Sequence, residues 1–322
     1  MYMVLRKFSW KTTVTTLFVL GVLALIVVVF SSINGRFVSG PNIVNILRQS
    51  VPALLVGTSV TLLMISGNID LSVGGIVGLS SVIFAILAKS GCGYFWASVL
   101  TLVLGLLVGY INGLLVMKLR IVPVIATLAT MTLCIGLGKL LSPGGIGVIK
   151  GLPEDVVKFA RSAFYLGLPI AFFITAIVIA ILIILQKKTV LGKYAAAIGG
   201  NRVAAELSGI NAVRMVWLLY VIVGFCSALG GISRTSLLSL GDPITGTNME
   251  LDAMIAVVLG GTAFAGGEGS VFRTIFGVLI IMCLTSGMQV IGMESYWQSL
   301  VKGIVLIVAV VINTLVKEKI ID

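Results

Sequence analysis

The side chain best placed to do chemistry is a carboxylate in a polar interruption of an apolar stretch. Asp70 stands in the segment 65–75, ISGNIDLSVGG, between the apolar runs 51–65 and 76–88. At about 1.5 Å per helical residue, the fifteen residues of the first run cover about 23 Å, which is less than the thickness of a hydrocarbon core, about 30 Å. The interruption is therefore predicted to dip into a membrane, where a carboxylate costs about 2.5–3.5 kcal/mol and usually faces a cavity or a polar partner.

Two compatible roles follow for Asp70. It can line or brace a substrate path together with Asn68. Alternatively, Asp70 or Ser72 can act as an N-cap, accepting hydrogen bonds from the orphan amides of the helix that follows. The flanking glycines suit a broken helix whose freed backbone groups are satisfied by protein or water.

Most other site chemistry is disfavoured by the residue types present. The chain has no histidine, so it lacks His metal ligands, His bases and any Ser-His or Cys-His pair. The four cysteines are scattered without CxxC spacing and are interpreted as packing residues. No catalytic residue or metal site is predicted, and an intramembrane enzyme is a poor interpretation.

The composition predicts a polytopic membrane protein. Hydrophobic residues make up 59% of the chain and charged residues only 10%, with a mean hydropathy of +1.20. Soluble domains carry about 25% charged residues. The net charge of +11 is spread thinly over short loops, a pattern that belongs to membrane orientation and not to a nucleic-acid interface.

We predict an all-α fold with a single membrane-spanning domain, 1–322, and a broken or short helix pair around Asn68 and Asp70. The first apolar run lacks a signal-peptide cleavage pattern and is interpreted as an uncleaved helix. Ten spans can be drawn, approximately at 14–31, 51–66, 74–88, 95–117, 121–141, 164–185, 213–235, 251–264, 271–291 and 296–316.

The distribution of basic residues predicts which side of the membrane each loop occupies. With the N-terminus inside, the cytoplasmic segments hold thirteen lysines and arginines and the external segments hold six. Because positive charge favours the cytoplasmic side, both termini are predicted to be cytoplasmic.

Two long loops are candidate contact surfaces for other proteins. The external loop 142–163 is a plausible docking surface, and the segment 186–214 is the longest cytoplasmic loop. Within the latter, Asn201 is a good N-cap and Gly209 a good stop for a seven-residue helix. Its apolar face is predicted to hold Val203, Leu207 and Ile210, with Arg202, Ala205 and Glu206 pointing away. Such a helix suits docking of a soluble partner, or simply covers loop backbone.

Glycines around the eighth span are predicted to serve close helix packing. Gly260, Gly261, Gly266 and Gly267 resemble a phosphate cradle only weakly, because no Lys-Ser or Lys-Thr follows a glycine at P-loop spacing. Nearby, a trio of loop carboxylates is either a docking or cation-attracting patch or simply solvated; it consists of Asp242, Glu250 and Asp252.

Five blocks together give the chain a family resemblance. It resembles the permease subunits of ABC importers for ribose and related monosaccharides. The blocks are 67–74 (GNIDLSVG), 123–131 (PVIATLATM), 197–210 (AIGGN, then Ala204-Ala205 and Ser208-Gly209-Ile210), 250–267 (from ELDA to the last Gly-Gly pair) and 296–303 (YWQ, then Lys302-Gly303). The sequence departs from the family pattern at Asn68, Glu268 and Arg273.

The resemblance implies how the chain works and with what partners. Such permeases pair around a central path in the bacterial inner membrane, as a homodimer or with a close paralogue. They receive sugar from a periplasmic or lipoprotein binding protein, and a cytoplasmic ATPase, often of two fused halves, binds ATP and Mg²⁺. This chain would then need no cofactor of its own. The residues implied to couple to the ATPase are Gly200, Asn201, Ala204, Ala205, Glu206 and Gly209, and those beside the path are Asn68, Asp70, Ser72 and Thr127.

One alternative remains from a different class of transporter. Asp70 could be the proton or sodium site of an ion-coupled secondary transporter, because a membrane carboxylate is a default functional candidate. The particular sugar cannot be read from the sequence.

Overall fold

The computed structural model describes residues 2–145 and 147–321, and the side chains of residues 16–145 and 147–311. These parts of the chain fold into helices joined by loops, without a β-strand of more than an isolated bridge. The α-helices are α1 (Tyr2–Ile33), α2 (Gly40–Ile65), α3 (Val73–Lys89), α4 (Gly93–Gly113), α5 (Pro123–Leu141), α6 (Glu154–Arg161), α7 (Ile170–Lys188), α8 (Val190–Gly200), α9 (Arg202–Leu207), α10 (Ala212–Leu238), α11 (Met249–Leu259), α12 (Val271–Val290) and α13 (Ser295–Ile321).

The prediction of an all-α membrane protein is confirmed. Seven helices of the described chain are long and apolar enough to cross a membrane, and two shorter apolar segments lie in α3 and α13. With α11, these helices correspond in order to the ten predicted spans. Helices α6, α8 and α9 are too short to span and lie in the loops.

The second predicted span was placed wrongly. Helix α2 begins at Gly40 and has 26 residues, with Pro52 inside it, so it covers about 39 Å and is not a short helix. The predicted start at residue 51 excluded a polar turn that the structure includes in the helix. Helix α3, with 17 residues, is short as predicted, and a second short helix is α11, whose eleven residues cover only about 16 Å before the loop 260–270 begins.

Helix α10 occupies the centre of the bundle, packed against α2, α3 and α4. Glycines allow its backbone to approach α4 closely. A Cβ at Gly105 would lie 2.5 Å from the Gly224 carbonyl oxygen, and one at Gly224 would lie 2.9 Å from the Gly109 Cα. Small residues spaced four apart bring membrane helices together in this way.

The loops between the helices lie at the two ends of the bundle. Gly267 N donates to the Ile65 carbonyl oxygen across 2.8 Å, so the loops 66–72 and 260–270 share one end, called here the Asp70 end. At the opposite end, Lys89 Nζ donates to the Lys150 carbonyl oxygen and Arg161 Nε to that of Leu237. The long loop 142–169 therefore lies on the opposite end from α8 and α9.

Candidate functional site

Asp70 is held by a buried hydrogen-bond network between α2 and α3. Its side chain is 1% exposed, and Oδ1 accepts from the Ser72 amide at 2.8 Å and from the Ser72 hydroxyl at 2.6 Å. The Asn112 amide at the end of α4 donates to Ser72 Oγ at 2.8 Å and lies 3.3 Å from Asp70 Oδ2. Ser72 is the residue immediately before α3, so Asp70 does accept a backbone amide at the start of that helix.

Two further helices fix the same loop through its backbone. The Leu71 amide donates to Thr127 Oγ1 on α5 at 3.1 Å. The Tyr220 hydroxyl on α10 donates to the Ile69 carbonyl oxygen at 3.1 Å. Buried backbone groups outside a helix need such partners, because an unpaired one costs about as much as a lost hydrogen bond. The loop is therefore attached to α4, α5 and α10 by one polar side chain from each.

The four residues predicted to lie beside a path are all buried. Asn68, Asp70, Ser72 and Thr127 are each less than 9% exposed. Asn68 donates to the carbonyl and hydroxyl oxygens of Ser66, and the other three form the network described above. Sequence reasoning missed Asn112 and Tyr220. The signal for Asn112 was available, since an asparagine in an apolar span needs a buried polar partner.

Backbones from two loops and from the end of α8 meet beside this network, in what we call the glycine junction: Gly67, Gly199, Gly266 and Gly267. A Cβ at Gly199 would contact the Ile65 carbonyl oxygen and lie 2.5 Å from Gly267 N. One at Gly266 would lie 2.7 Å from Gly67 N. The end of α8 is thereby in backbone contact with both loops that interrupt the membrane helices.

The remaining glycines of this group play other parts. A Cβ at Gly260 would lie 2.9 Å from Thr274 N and Cα, so this glycine does pack closely against α12. Gly261 has a φ of +76° and forms the turn that ends α11. The Gly260 and Gly261 carbonyl oxygens accept from Arg273 Nε and Nη2, at 2.9 and 3.4 Å. Arg273 thus caps the C-terminus of α11, where a cation is favourable.

Helix α9 begins and ends where the sequence predicted. Asn201 Oδ1 accepts from the Ala204 amide at 3.0 Å, and Gly209 has a φ of +83° just after the helix. The Gly209 amide donates to the Glu206 carbonyl oxygen and closes the last turn. The helix has six residues instead of the predicted seven.

The predicted orientation of α9 was wrong. Ala205 is 5% exposed and faces the bundle, whereas Val203 and Leu207 are 68% and 85% exposed. Of the predicted inward residues only Ile210 packs against the core, and Ala205 takes the inward position on the helix, whereas Arg202 and Glu206 are exposed as predicted. Of the other residues assigned to coupling, Gly200, Asn201, Ala204, Glu206 and Gly209 are exposed. Val203 and Leu207 thus form an exposed apolar pair on a short helix.

The acidic trio is split by the fold. Glu250 and Asp252 lie in the first turn of α11, not in a loop, and Asp252 Oδ2 accepts from Lys302 Nζ on α13 at 2.8 Å. Asp242 stays in the loop before α11, where its Oδ1 accepts from the Ile244 amide. The loop 142–163, predicted to be external, contains α6, whose Val156 and Ala160 are buried.

Comparison with known proteins matches most of this chain to one family. Residues 42–310 match the family model for the permease component of the branched-chain amino acid transport system. The ribose import permease protein RbsC of Bacillus subtilis is 40% identical over 291 residues, covering 90% of each chain. RbsC of Haemophilus influenzae is 36% identical, covering 92% of each. The galactose/methyl galactoside import permease protein MglC of the same organism is 36% identical, covering 87% of this chain and 88% of MglC. No solved structure matches.

Proposed function

Because this chain belongs to the family of branched-chain amino acid transport system permease components, with ribose-type permeases among its relatives, we propose that it imports a monosaccharide. The chain is a permease subunit of an ABC transporter and not an enzyme. It is a multi-pass protein of the bacterial inner membrane. The solute is a ribose-like pentose, a hexose or a related small polar molecule, passed inward by alternating access.

The observation that carries the mechanism is the backbone contact between α8 and the membrane loops. A partner that moves α9 also moves the end of α8, since only Asn201 separates them. Gly199 lies against the backbone of Ile65, at the end of α2, and of Gly267, in the loop before α12. Because closely packed backbone atoms transmit displacement, a movement of α8 also moves α2 and this loop. We propose that the conformational change caused by ATP binding to a partner subunit is transmitted to the bundle through this contact.

Each end of the molecule is proposed to bind a different partner. A cytoplasmic ATPase, of two fused halves or two subunits, docks on Val203 and Leu207 and holds the ATP and Mg²⁺. This chain carries no P-loop motif of its own. A periplasmic or lipoprotein sugar-binding protein docks at the opposite end, on a surface that includes 142–163. A second permease subunit, identical or paralogous, completes the path.

The environment of Asp70 does not support the alternative of an ion-coupled secondary transporter. A coupling site must be reached by its ion and must release it in each cycle. Asp70 is instead buried, and its carboxylate accepts hydrogen bonds from Ser72 and Asn112. This arrangement favours a brace that fixes the loop between α2 and α3.

Sugar uptake under separate control of ATP and ion gradients tests the proposal. The permease is expressed with the ATPase and binding protein encoded beside it, and uptake of labelled D-ribose, D-galactose and D-allose is measured. We expect uptake to stop when ATP is depleted and to continue when proton and sodium gradients are collapsed with ATP held constant. Uptake that survives ATP depletion and follows an ion gradient would make Asp70 the leading ion site.

A further inference from the structure

A polar cavity lies between five helices near the end of the bundle opposite Asp70. Its volume is about 210 Å³, and it opens between α2, α10, α11, α12 and α13. None of the path residues predicted from sequence borders it. Half of its lining residues are apolar, and the polar ones include Arg234, Thr245, Asp252, Thr285, Gln289 and Lys302.

One wall of the cavity is a partly buried ion pair. Lys302 Nζ and Asp252 Oδ2 are 2.8 Å apart, and the two side chains are only about a fifth exposed, at 21% and 18%. Charges in such a place are expensive unless they are paired, and here each retains hydrogen-bonding capacity beyond the pair. The Asp252 carboxylate can still accept and the Lys302 ammonium can still donate.

A second wall holds further donors and acceptors. The Arg234 guanidinium donates to Thr245 Oγ1 at 3.4 Å and has further N–H donors available. Thr285 Oγ1 is buried without a hydrogen-bond partner in the part of the chain that the structure describes. Because a buried hydroxyl left unpaired is unfavourable, its position in a cavity wall indicates a partner that arrives with a ligand.

From this cavity we infer that each permease subunit carries its own sugar-contact site, in which Thr285, Gln289, Asp252 and Lys302 hydrogen-bond the hydroxyls of a monosaccharide in transit. The inference rests on the proposed function and deepens it, by placing the contact residues. The site lies on the end where a binding protein releases sugar and is separate from the Asp70 network.

The chemistry of the walls selects the class of ligand. Paired charges, amides and hydroxyls offer donors and acceptors on several sides, which suits a neutral molecule with a hydroxyl on almost every carbon. The apolar lining residues, which include Met249, Val278 and Ile281, can contact the carbons of a sugar ring or an aliphatic side chain, so L-leucine is measured beside the sugars in the test below. The cavity is smaller than the sites of about 300–1,000 Å³ that hold drug-sized ligands, which favours a smaller molecule such as a monosaccharide.

The test compares sugar uptake with ATP hydrolysis in the reconstituted transporter. The complete complex is placed in proteoliposomes with saturating binding protein, and uptake of D-ribose, D-galactose, D-allose and L-leucine is measured. Variants Thr285→Val and Gln289→Leu remove hydrogen-bonding groups while keeping volume. Thr175→Val is the matched control, since this buried hydroxyl on α7 donates to the Ala171 carbonyl oxygen and lies outside the cavity.

We expect each cavity variant to lower uptake of the carried sugar by about three- to tenfold per folded complex, because each variant loses one or two hydrogen bonds to the sugar. ATP hydrolysis stimulated by the binding protein should stay close to wild type, so that less sugar moves per ATP, and Thr175→Val should match wild type in both. Wild-type uptake in both cavity variants, or an equal fall in uptake and hydrolysis, would overturn the site. Failure of the proposed function looks different, because wild type itself would then show no ATP-dependent sugar uptake.

Discussion

Gly199, in the last turn of α8, packs against the Ile65 carbonyl oxygen at the end of α2 so closely that only hydrogen fits between them. A Cβ there would meet backbone atoms of Ile65 and Gly267, and backbone cannot rotate away as a side chain does. The same Ile65 carbonyl oxygen accepts the Gly267 amide at 2.8 Å. One peptide group therefore joins α8, α2 and the loop before α12.

Gly199→Ala should destabilise the folded permease. The added methyl forces the three segments apart, and overpacking of this kind costs about 1–3 kcal/mol. We expect lower Tm of the purified protein in detergent and lower abundance in the membrane. Gly200→Ala is the matched control, since open space surrounds that position, and its Tm should stay at the wild-type value. Equal Tm for the two alanine variants would show that the junction is looser than described.

The Asp70 network predicts a graded series of losses. Asp70→Asn keeps an oxygen that can accept the Ser72 amide and hydroxyl, so its loss of stability should be partial. Asp70→Ala removes every acceptor and leaves the Ser72 amide unpaired, which should cost more, about 0.5–2 kcal/mol. The measurement is unfolding of the purified permease monitored by Tm. A larger loss for Asp70→Asn than for Asp70→Ala would contradict the brace.

Asn112 tests the same network from its other side. Asn112→Leu removes the amide that donates to Ser72 and Asp70, and we expect a loss of about 1–3 kcal/mol because buried acceptors lose their donor. Since the two residues share one network, the losses of Asn112→Leu and Asp70→Ala should not add in the double variant. Fully additive losses would mean that the contact between α4 and the loop carries no energy.

The sequence predicted the helices better than their faces. Spans were found because apolar runs of membrane length are distinctive, and α9 was bounded correctly at Asn201 and Gly209 by capping chemistry. The start of α2 was missed because Arg48, Gln49 and Ser50 interrupt the apolar run, although Gln49 faces the cavity between helices. Hydropathy averages over residues, whereas the fold places each polar side chain against a particular neighbour. The contacts of Asp70 with Asn112 and of Ile69 with Tyr220 join distant segments and have no local signal.

The corrected orientation of α9 changes which substitution tests ATPase docking. Ala205→Arg would push a long side chain into the bundle and impair folding, because Ala205 is buried. Leu207→Arg instead places a charge on the exposed face. We expect normal permease abundance and at least tenfold less ATPase co-purified with the permease. Leu166→Arg, at a similarly exposed apolar residue in the loop 142–169 on the opposite end, should leave ATPase co-purification unchanged. Full retention of the ATPase by Leu207→Arg would remove α9 from the docking surface.

The orientation in the membrane is tested by labelling single cysteines in intact cells. The background is Cys92→Ser, because Cys92 is partly exposed whereas Cys134, Cys226 and Cys283 are buried. Ser90→Cys and Ser162→Cys lie exposed on the end opposite Asp70, and they should react with an impermeant thiol reagent from outside.

Lys188→Cys and Ser208→Cys supply the inside half of the same test. Both positions are exposed at the Asp70 end, so they should react only after the cells are opened. The reason is the excess of basic residues, thirteen against six, on the segments assigned to the cytoplasm. Because the fold separates the two pairs of positions by the whole length of the bundle, only one pair can face outward. Labelling of Lys188→Cys and Ser208→Cys in sealed cells, with Ser90→Cys and Ser162→Cys protected, would invert the orientation and place α9 beyond the reach of a cytoplasmic ATPase.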